Sequence, residues 1–199
     1  MALNLPTPPR GAPDAIRAKL TEFAEGARFT TRALSQASQE RLDVSTPHRI
    51  YTLGLDDIAA GHGLDQARPG GWRFLVEDDG ALIASAETSE ADDGTHELTQ
   101  FTEGPFVAAT DNAVKAIRGL PQLAVGGFEL RLLRIPALYV MALWLHSPVT
   151  DLLVPLAPSP IGKEGRLVPA VEFFRALTTQ NRPSARPSPS SEPHGPAVP

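Results

Sequence analysis

The sequence predicts an α+β fold, in which a mainly antiparallel, twisted sheet of about five to six strands packs with an amphipathic helix over residues 105–118 and with flanking N- and C-terminal helices. One reason is the segment 127–156, which contains three strand-like runs, and the middle run, residues 137–145, has no charged side chain. A second reason is the alternation over residues 72–86, which is typical of a hairpin. The connections within these groups are too short for parallel crossovers, which favours antiparallel pairing.

Two helices and a short strand are predicted before the hairpin. Apolar residues recur at helical spacing at Ile16, Leu20 and Phe23, so a first helix is expected near the start of the chain. Residues 28–41 contain helix-compatible but weakly apolar residues, which predicts a second and more exposed helix. Residues 49–53 have the apolar composition of a short strand.

The clearest local pattern is a β-hairpin followed by a weaker strand. Trp72, Phe74 and Val76 alternate with other side chains, and the Asp-Asp-Gly run at residues 78–80 is typical of a tight turn. The alternation then continues, which predicts the second strand of the hairpin. A further strand is expected over residues 97–102, and the helix over residues 105–118 follows it.

The last part of the domain combines a buried strand with a docked helix. Both faces of the strand at residues 137–145 are apolar, so this strand is predicted to be central in the sheet. A last helix is predicted over residues 169–178, and its apolar stripe of Val171, Phe174 and Leu177 requires a docking surface.

Proline content divides the chain into three parts. The sequence has 20 prolines, which concentrate near its two ends. We therefore expect a Pro-rich N-terminal segment over residues 1–12 and a single globular domain over residues 13–178, which includes a Pro-rich connection at residues 155–168 before the docked helix. Residues 179–199 hold almost no large apolar side chain, so they are predicted to form a disordered tail.

Composition argues against several classes of protein. The chain has no cysteine, which excludes disulfides and thiolate metal ligands. Its formal net charge is −5, and residues 74–114 contain ten acidic side chains and no lysine or arginine, so no nucleic-acid partner is expected. The uncharged run over residues 135–145 is too short for a membrane span, so no membrane partner is expected either. Without a secretory signal pattern at its start, the chain is expected to be cytoplasmic.

The acidic residues support a first functional hypothesis, a non-catalytic interaction or accessory protein. A face rich in carboxylates suits another protein as partner, and the Pro-rich ends suit tethers or short linear ligands. The spacing of the acids lacks the repeat of a calcium loop, so no metal site is predicted. The predicted acidic face consists of Glu77, Asp78, Asp79, Glu87, Asp92, Asp93, Glu97 and Glu103.

The alternative hypothesis is a small-molecule-binding or enzyme domain with a pocket between the curved sheet and the helix over residues 105–118. The histidines lie far apart and no G-x-S-x-G or phosphate-binding loop occurs, so the sequence predicts no catalytic residue and no cofactor. This favours the first hypothesis and a protein without enzymatic activity. A cavity above roughly 300 Å³ with convergent polar groups would favour the alternative. The predicted pocket residues are Trp72, Phe74, Tyr139, Met141 and Trp144, with His62, Arg73 and His146 at the mouth.

Overall fold

Eight strands and five helices form in the part of the chain that the computed structural model describes, residues 3–120, 123, 127–162 and 164–180. The strands are β1 (Leu42–Thr52), β2 (Arg68–Asp78), β3 (Ala81–Glu90), β4 (His96–Thr102), β5 (Glu129–Ile135), β6 (Val140–His146), β7 (Asp151–Pro155) and β8 (Val168–Pro169). The helices are α1 (Gly11–Glu25), α2 (Arg32–Gln36), α3 (Leu55–Ala59), α4 (Pro105–Arg118) and α5 (Ala170–Gln180). None of these described helices is long and apolar enough to cross a membrane.

All eight strands belong to one sheet, in which two antiparallel groups of four strands meet at a parallel pair. The strand order is β4-β3-β2-β1-β5-β6-β7-β8, and residues 49–52 of β1 run parallel to residues 131–134 of β5. Helix α4 makes this pairing possible, because it carries the chain from the outer strand β4 back to β5 beside β1. The predicted α+β class is confirmed. The predicted sheet of five to six mainly antiparallel strands needs correction, since the sheet is mixed and has eight strands.

Three elements differ from their predicted bounds. Strand β1 has 11 residues, where the sequence predicts only residues 49–53, because the alternation of Leu42 and Val44 with polar residues is short and ends at Thr46 and Pro47. The helix predicted over residues 28–41 is much shorter, since α2 is followed by a 3-10 turn at Gln39–Arg41. Strand β6 begins at Val140, because Pro136–Leu138 forms a 3-10 turn; β6 lies between β5 and β7, away from the edges of the sheet.

Different helices cover the two faces of the sheet. On one face, Ala113, Val114 and Ile117 of α4 pack against inward side chains of β5, β6 and β7. On the opposite face, α1 covers β2, β3 and β4, while α5 covers β5, β6 and β7. We call these the α4 face and the α1/α5 face. Each fully buried leucine or isoleucine side chain contributes about 1.5–3 kcal/mol to these cores.

Helix α5 docks on the sheet, but only part of its predicted apolar stripe is buried. Phe173 and Leu177 are buried, whereas Phe174 is half-buried and Val171 is 64% exposed. Phe173 and Leu177 are four residues apart and therefore lie on the same side of the helix. Helix α5 extends to Gln180, beyond the predicted end at residue 178. The rest of the predicted tail, residues 181–199, lies outside the described residues.

The sheet curves around the N-terminal half of α4. Gln100 on β4 and Met141 on β6 are five strand positions apart, which corresponds to about 24 Å in a flat sheet, yet both line one pocket. Phe106, in the first turn of α4, lines the same pocket. The concave α4 face therefore brings together side chains from strands that are distant in the sheet order.

Gly71 allows the backbones of β2 and β3 to approach closely. A Cβ at this position would lie 1.5 Å from the carbonyl oxygen of Thr88 on β3, so a larger residue would separate β2 from β3. The two residues that follow, Trp72 and Arg73, project to opposite faces because side chains alternate along a strand. This close backbone approach therefore supports both sites described below.

Candidate functional site

A row of polar side chains crosses the α4 face of the antiparallel group that strands β1 to β4 form. His48, Arg73, Glu87 and Gln100 occupy neighbouring positions on β1, β2, β3 and β4, as the register of these strands places them side by side. The first three residues are buried, with exposed fractions of 0%, 1% and 4%. Because the burial of charged groups is costly, this row requires an explanation beyond packing.

Glu87 is the centre of the ion pairs in this row. Arg134 of β5 donates a hydrogen bond from Nη2 to Oε1 of Glu87. Arg73 Nε lies 3.8 Å from the same oxygen, and Gln100 Nε2 donates to the other oxygen at 2.9 Å. Two guanidiniums thus share one carboxylate, and neither pairs with another carboxylate among the described residues. We call Arg73, Glu87 and Arg134 the charge cluster; it holds one positive charge in excess.

Arg73 stays protonated although it is buried. Its Nη1 donates to Thr110 Oγ1 of α4 at 3.5 Å and to Met141 Sδ of β6 at 3.1 Å, while its Nε has no hydrogen-bond partner among the described residues. Burial lowers the pKa of Arg73 to about 10, although the nearby Glu87 carboxylate acts in the opposite direction. The guanidinium is therefore charged at neutral pH, and its capacity for hydrogen bonds is only partly used.

His48 adds no charge to this face. Its Nδ1 lies 2.8 Å from the carbonyl oxygen of Thr46, so Nδ1 carries the proton and donates it. Its Nε2 is then an acceptor, and this atom has no partner among the described residues. Burial, together with the charge of Arg73 and the smaller effect of Arg134, lowers the pKa of His48 to about 3. The excess positive charge therefore belongs to the guanidiniums alone.

A pocket of about 620 Å³ adjoins the charge cluster through Arg134. The Arg134 side chain is 25% exposed, so it connects the buried ion pairs with the open pocket. No side chain of the described residues caps the N-terminus of α4, and its first turn keeps the positive partial charge of a helix N-terminus next to the pocket residue Phe106. The lining includes Gln100, Phe106, Arg134, Tyr139, Val140 and Met141.

The structure brings together part of the pocket that the sequence predicts. Tyr139 and Met141 line it, and Arg73 lies beneath it in the charge cluster. The other predicted pocket residues lie elsewhere: Trp72 and Phe74 are in the core under α1, Trp144 is in the core under α5, His146 pairs with Asp151, and His62 is in an exposed loop.

Several residues of the predicted acidic face bind groups within the chain. Glu87 belongs to the charge cluster, and Glu103 accepts hydrogen bonds from the backbone N–H groups of Ala33 and Leu34 in α2. The other engaged carboxylates are Glu77, which binds Ser45, Asp78, which binds Arg41, and Asp93, which binds Thr95. These carboxylates are therefore satisfied locally.

The remaining acids of that set do not share one surface. Asp79 lies in the turn before β3 and Asp92 in the turn after it, so this strand of ten residues separates them by about 30 Å. Glu97 lies on the outer strand β4. The acidic residues that are close in sequence are thus distributed along the hairpin and not collected on one face.

Sequence reasoning missed four members of the site: His48, Gln100, Phe106 and Arg134. Arg134 carries a local signal, because it is a charged residue within the apolar run of residues 132–135. The other three carry none, since their proximity depends on the pairing and curvature of strands that are distant in sequence. Among these four residues, only Arg134 therefore carried a local sign of its role.

Metal ligation and similarity to known proteins give no further guide to the site. Among the described residues, no group of three or more histidine, cysteine, aspartate or glutamate side chains is arranged to hold a metal ion. Comparison with known protein families, with curated proteins and with solved structures finds no match for this chain. Its function must be inferred from the geometry and charge of the site itself.

Proposed function

We propose that this protein binds a small organic anion with an apolar body in the pocket between the curved sheet and α4. The observation that supports the proposal is the excess positive charge of the charge cluster, in which Arg73 and Arg134 share Glu87 alone. A bound carboxylate at Arg134 would supply the missing counter-charge in a region of low dielectric. Arginine also suits a carboxylate because its guanidinium can form two parallel hydrogen bonds with it.

Different residues of the pocket lining suit the two ends of such a ligand. The anionic head would contact Arg134, with the amide of Gln100 beside it. The apolar body would lie against Phe106, Tyr139 and Met141. The volume of about 620 Å³ falls within the usual range for small-molecule sites, roughly 300–1,000 Å³.

The pocket favours binding over catalysis. His48 is 0% exposed and its Nδ1 is already bound to Thr46, so a ligand in the pocket does not reach it as a general base. The described residues that line the pocket include no serine, threonine, cysteine or lysine to act as a nucleophile. A carrier, storage or sensor role for an organic acid fits these features.

The hypothesis of a protein partner at an acidic face has weaker support. Five of its eight carboxylates, those of Glu77, Asp78, Glu87, Asp93 and Glu103, bind groups of the same chain. The exposed ones are spread along the β2–β3 hairpin and the outer strand β4. Contact with another protein through these acids stays a prediction from the sequence.

Calorimetric titration with three ligands of equal chain length tests the proposed function. Octanoate, octan-1-ol and octylamine have the same apolar chain and differ in the charge of the head group. We expect octanoate to bind and to raise the melting temperature, because a ligand of the folded state stabilises that state. The alcohol and the amine should bind much more weakly. Equal binding of all three would indicate an apolar site without charge selection and would overturn the proposal.

The variant Arg134→Gln tests the residue on which the proposal depends. Glu87 retains Arg73 as a partner in this variant, so the protein should fold, which a thermal melt verifies. We expect the affinity for octanoate to fall at least about tenfold, since a charge-assisted hydrogen bond is lost. Arg118→Gln is the matched control, because Arg118 is exposed in the last turn of α4. An octanoate affinity that Arg134→Gln leaves unchanged would contradict the proposed function.

A further inference from the structure

The α1/α5 face carries a second pair of arginines that the proposed function does not use. Trp72, Arg49, Arg131 and Trp144 are in register on β2, β1, β5 and β6, so they form one row across the junction of the two antiparallel groups. The guanidinium carbon of Arg49 lies 6.0 Å from the centre of a Trp72 ring, and that of Arg131 lies 4.9 Å from the centre of a Trp144 ring. We call these four residues the seam row.

Two like charges are direct neighbours in the seam row. Arg49 and Arg131 are partners in the parallel ladder, in which adjacent strands are about 4.8 Å apart, and such pairing of like charges destabilises a sheet. Glu129 binds Arg131 Nε at 2.7 Å. Arg49 forms no ion pair among the described residues, and its buried Nε has no hydrogen-bond partner there. Arg49 therefore lacks a counter-anion among the described residues, and the two arginines with Glu129 hold one positive charge in excess.

A polar pocket of about 440 Å³ lies over the seam row. Arg49, Arg131 and Glu129 line it from the sheet. Residues 4–7 of the N-terminal segment line it from the side, because Asn4 forms a parallel bridge with Glu129 of β5. The pocket is thus a concave site in which both guanidiniums are accessible to a small molecule.

We propose that this pocket binds the phosphate group of a small phosphate-bearing molecule. A phosphate monoester has three terminal oxygens and carries up to about two negative charges, so it accepts hydrogen bonds from two guanidiniums at once. A carboxylate has two oxygens, which a single guanidinium fork occupies, so it would leave the other guanidinium without a contact to the ligand. Tyr51 and Trp72 in the lining offer aromatic surface to the rest of the molecule. The site lies on the opposite face of the sheet from the pocket beside α4. The two proposals are therefore independent.

Tryptophan fluorescence measures binding at this site directly. The chain has two tryptophans, Trp72 and Trp144, and both belong to the seam row. Titration with inorganic phosphate, at an ionic strength held constant with sodium chloride, should give a saturable change in emission as the guanidiniums move relative to the indole rings. Acetate at equal concentration should give no such change. Either an absent phosphate response or an equal acetate response would overturn the proposal.

Arginine variants connect the fluorescence signal to the seam row. Arg49→Gln and Arg131→Gln should each weaken phosphate binding at least about tenfold, whereas Arg118→Gln should leave it unchanged. Circular dichroism melts verify that the variants fold. If Arg131→Gln does not fold, Arg49→Gln alone tests the proposal. A phosphate affinity unchanged in Arg49→Gln means that the signal arises elsewhere, which refutes the proposal. Octanoate binding on the α4 face is measured separately, so either proposal can fail without the other.

Discussion

The two faces of the sheet each hold two arginines and one glutamate, but they hold these charges in different ways. On the α4 face, the charge cluster encloses its carboxylate, because the Glu87 side chain is only 5% exposed. On the α1/α5 face, the arginines of the seam row lie over tryptophan rings, and the carboxylate beside them, Glu129, is 35% exposed. The first arrangement depends on buried ion pairs, and the second depends on aromatic stacking and on one partly exposed ion pair.

This difference indicates which charges the fold depends on. An unpaired charge in a protein interior costs about 3–5 kcal/mol, because it has lost its hydration without gaining a partner. A partly exposed guanidinium over an aromatic ring keeps part of its hydration and gains about 0.5–1 kcal/mol from the ring. The charge cluster should therefore control stability, while the seam row should respond mainly to anions and to salt.

Neutralising Glu87 and Glu129 in turn should give the largest difference in stability between the two faces. Glu87→Gln leaves Arg73 and Arg134 without their shared counter-charge, so we expect the free energy of unfolding to fall by about 3–5 kcal/mol. Glu129→Gln removes a partly exposed ion pair and should cost less than about 1 kcal/mol. Urea unfolding of both variants measures the two losses. Equal losses of unfolding free energy in the two variants would show that the two faces do not differ in how strongly stability depends on their carboxylates.

Sequence periodicity was sufficient to predict the elements with strong apolar patterns. The β2–β3 hairpin, helix α4 and the β5–β7 strands occur where residues 72–86, 105–118 and 127–156 indicate them. The number of strands was not predictable in the same way. The apolar alternation at the start of β1 ends at Thr46 and Pro47, and β8 has two residues, so their place in the sheet depends on hydrogen bonds to distant partners more than on their own composition.

The candidate site was less predictable than the fold, because its charges meet only through long-range pairing. Glu87 and Arg134 are 47 residues apart in the chain, and the curvature of the sheet brings them together. Taken alone, Glu87 belongs to an acidic stretch and Arg134 to an apolar strand, so neither pattern identifies the other residue as its partner. Tyr139 and Met141 were accessible to sequence reasoning, since a sheet that wraps around the helix over residues 105–118 places neighbouring strands beside it.

The pH dependence of the unfolding free energy should show whether water reaches the buried side chains of the α4 face. The pKa of His48 is lowered from 6.5 to about 3, so between these values the unfolded chain binds a proton that the folded chain does not. The stabilisation linked to neutral His48 is therefore fully present above pH 6.5 and is lost as the pH falls toward 3. From about pH 7 to about pH 5 this loss amounts to about 2 kcal/mol.

The variant His48→Asn isolates this contribution. Asparagine retains a donor for the Thr46 carbonyl but does not titrate. Urea unfolding at the two pH values should show that the parent protein loses about 2 kcal/mol more than the variant. The comparison cancels the titration of the other histidines and of the carboxylates. Equal losses in the two proteins would mean that water reaches His48 in the folded chain, and the charge cluster would then resemble the seam row.

The smallest expected effect concerns the repulsion within the seam row. Sodium chloride should stabilise the protein by screening Arg49 from Arg131, by a few tenths to about 1 kcal/mol. Arg49→Gln removes this repulsion and should reduce the salt dependence, whereas Arg118→Gln should preserve it. Urea unfolding at low and high salt measures the dependence in each protein. A salt dependence that Arg49→Gln does not alter would mean that the ring of Trp72 already compensates the charge of Arg49, and the contrast between the two faces would then reduce to burial alone.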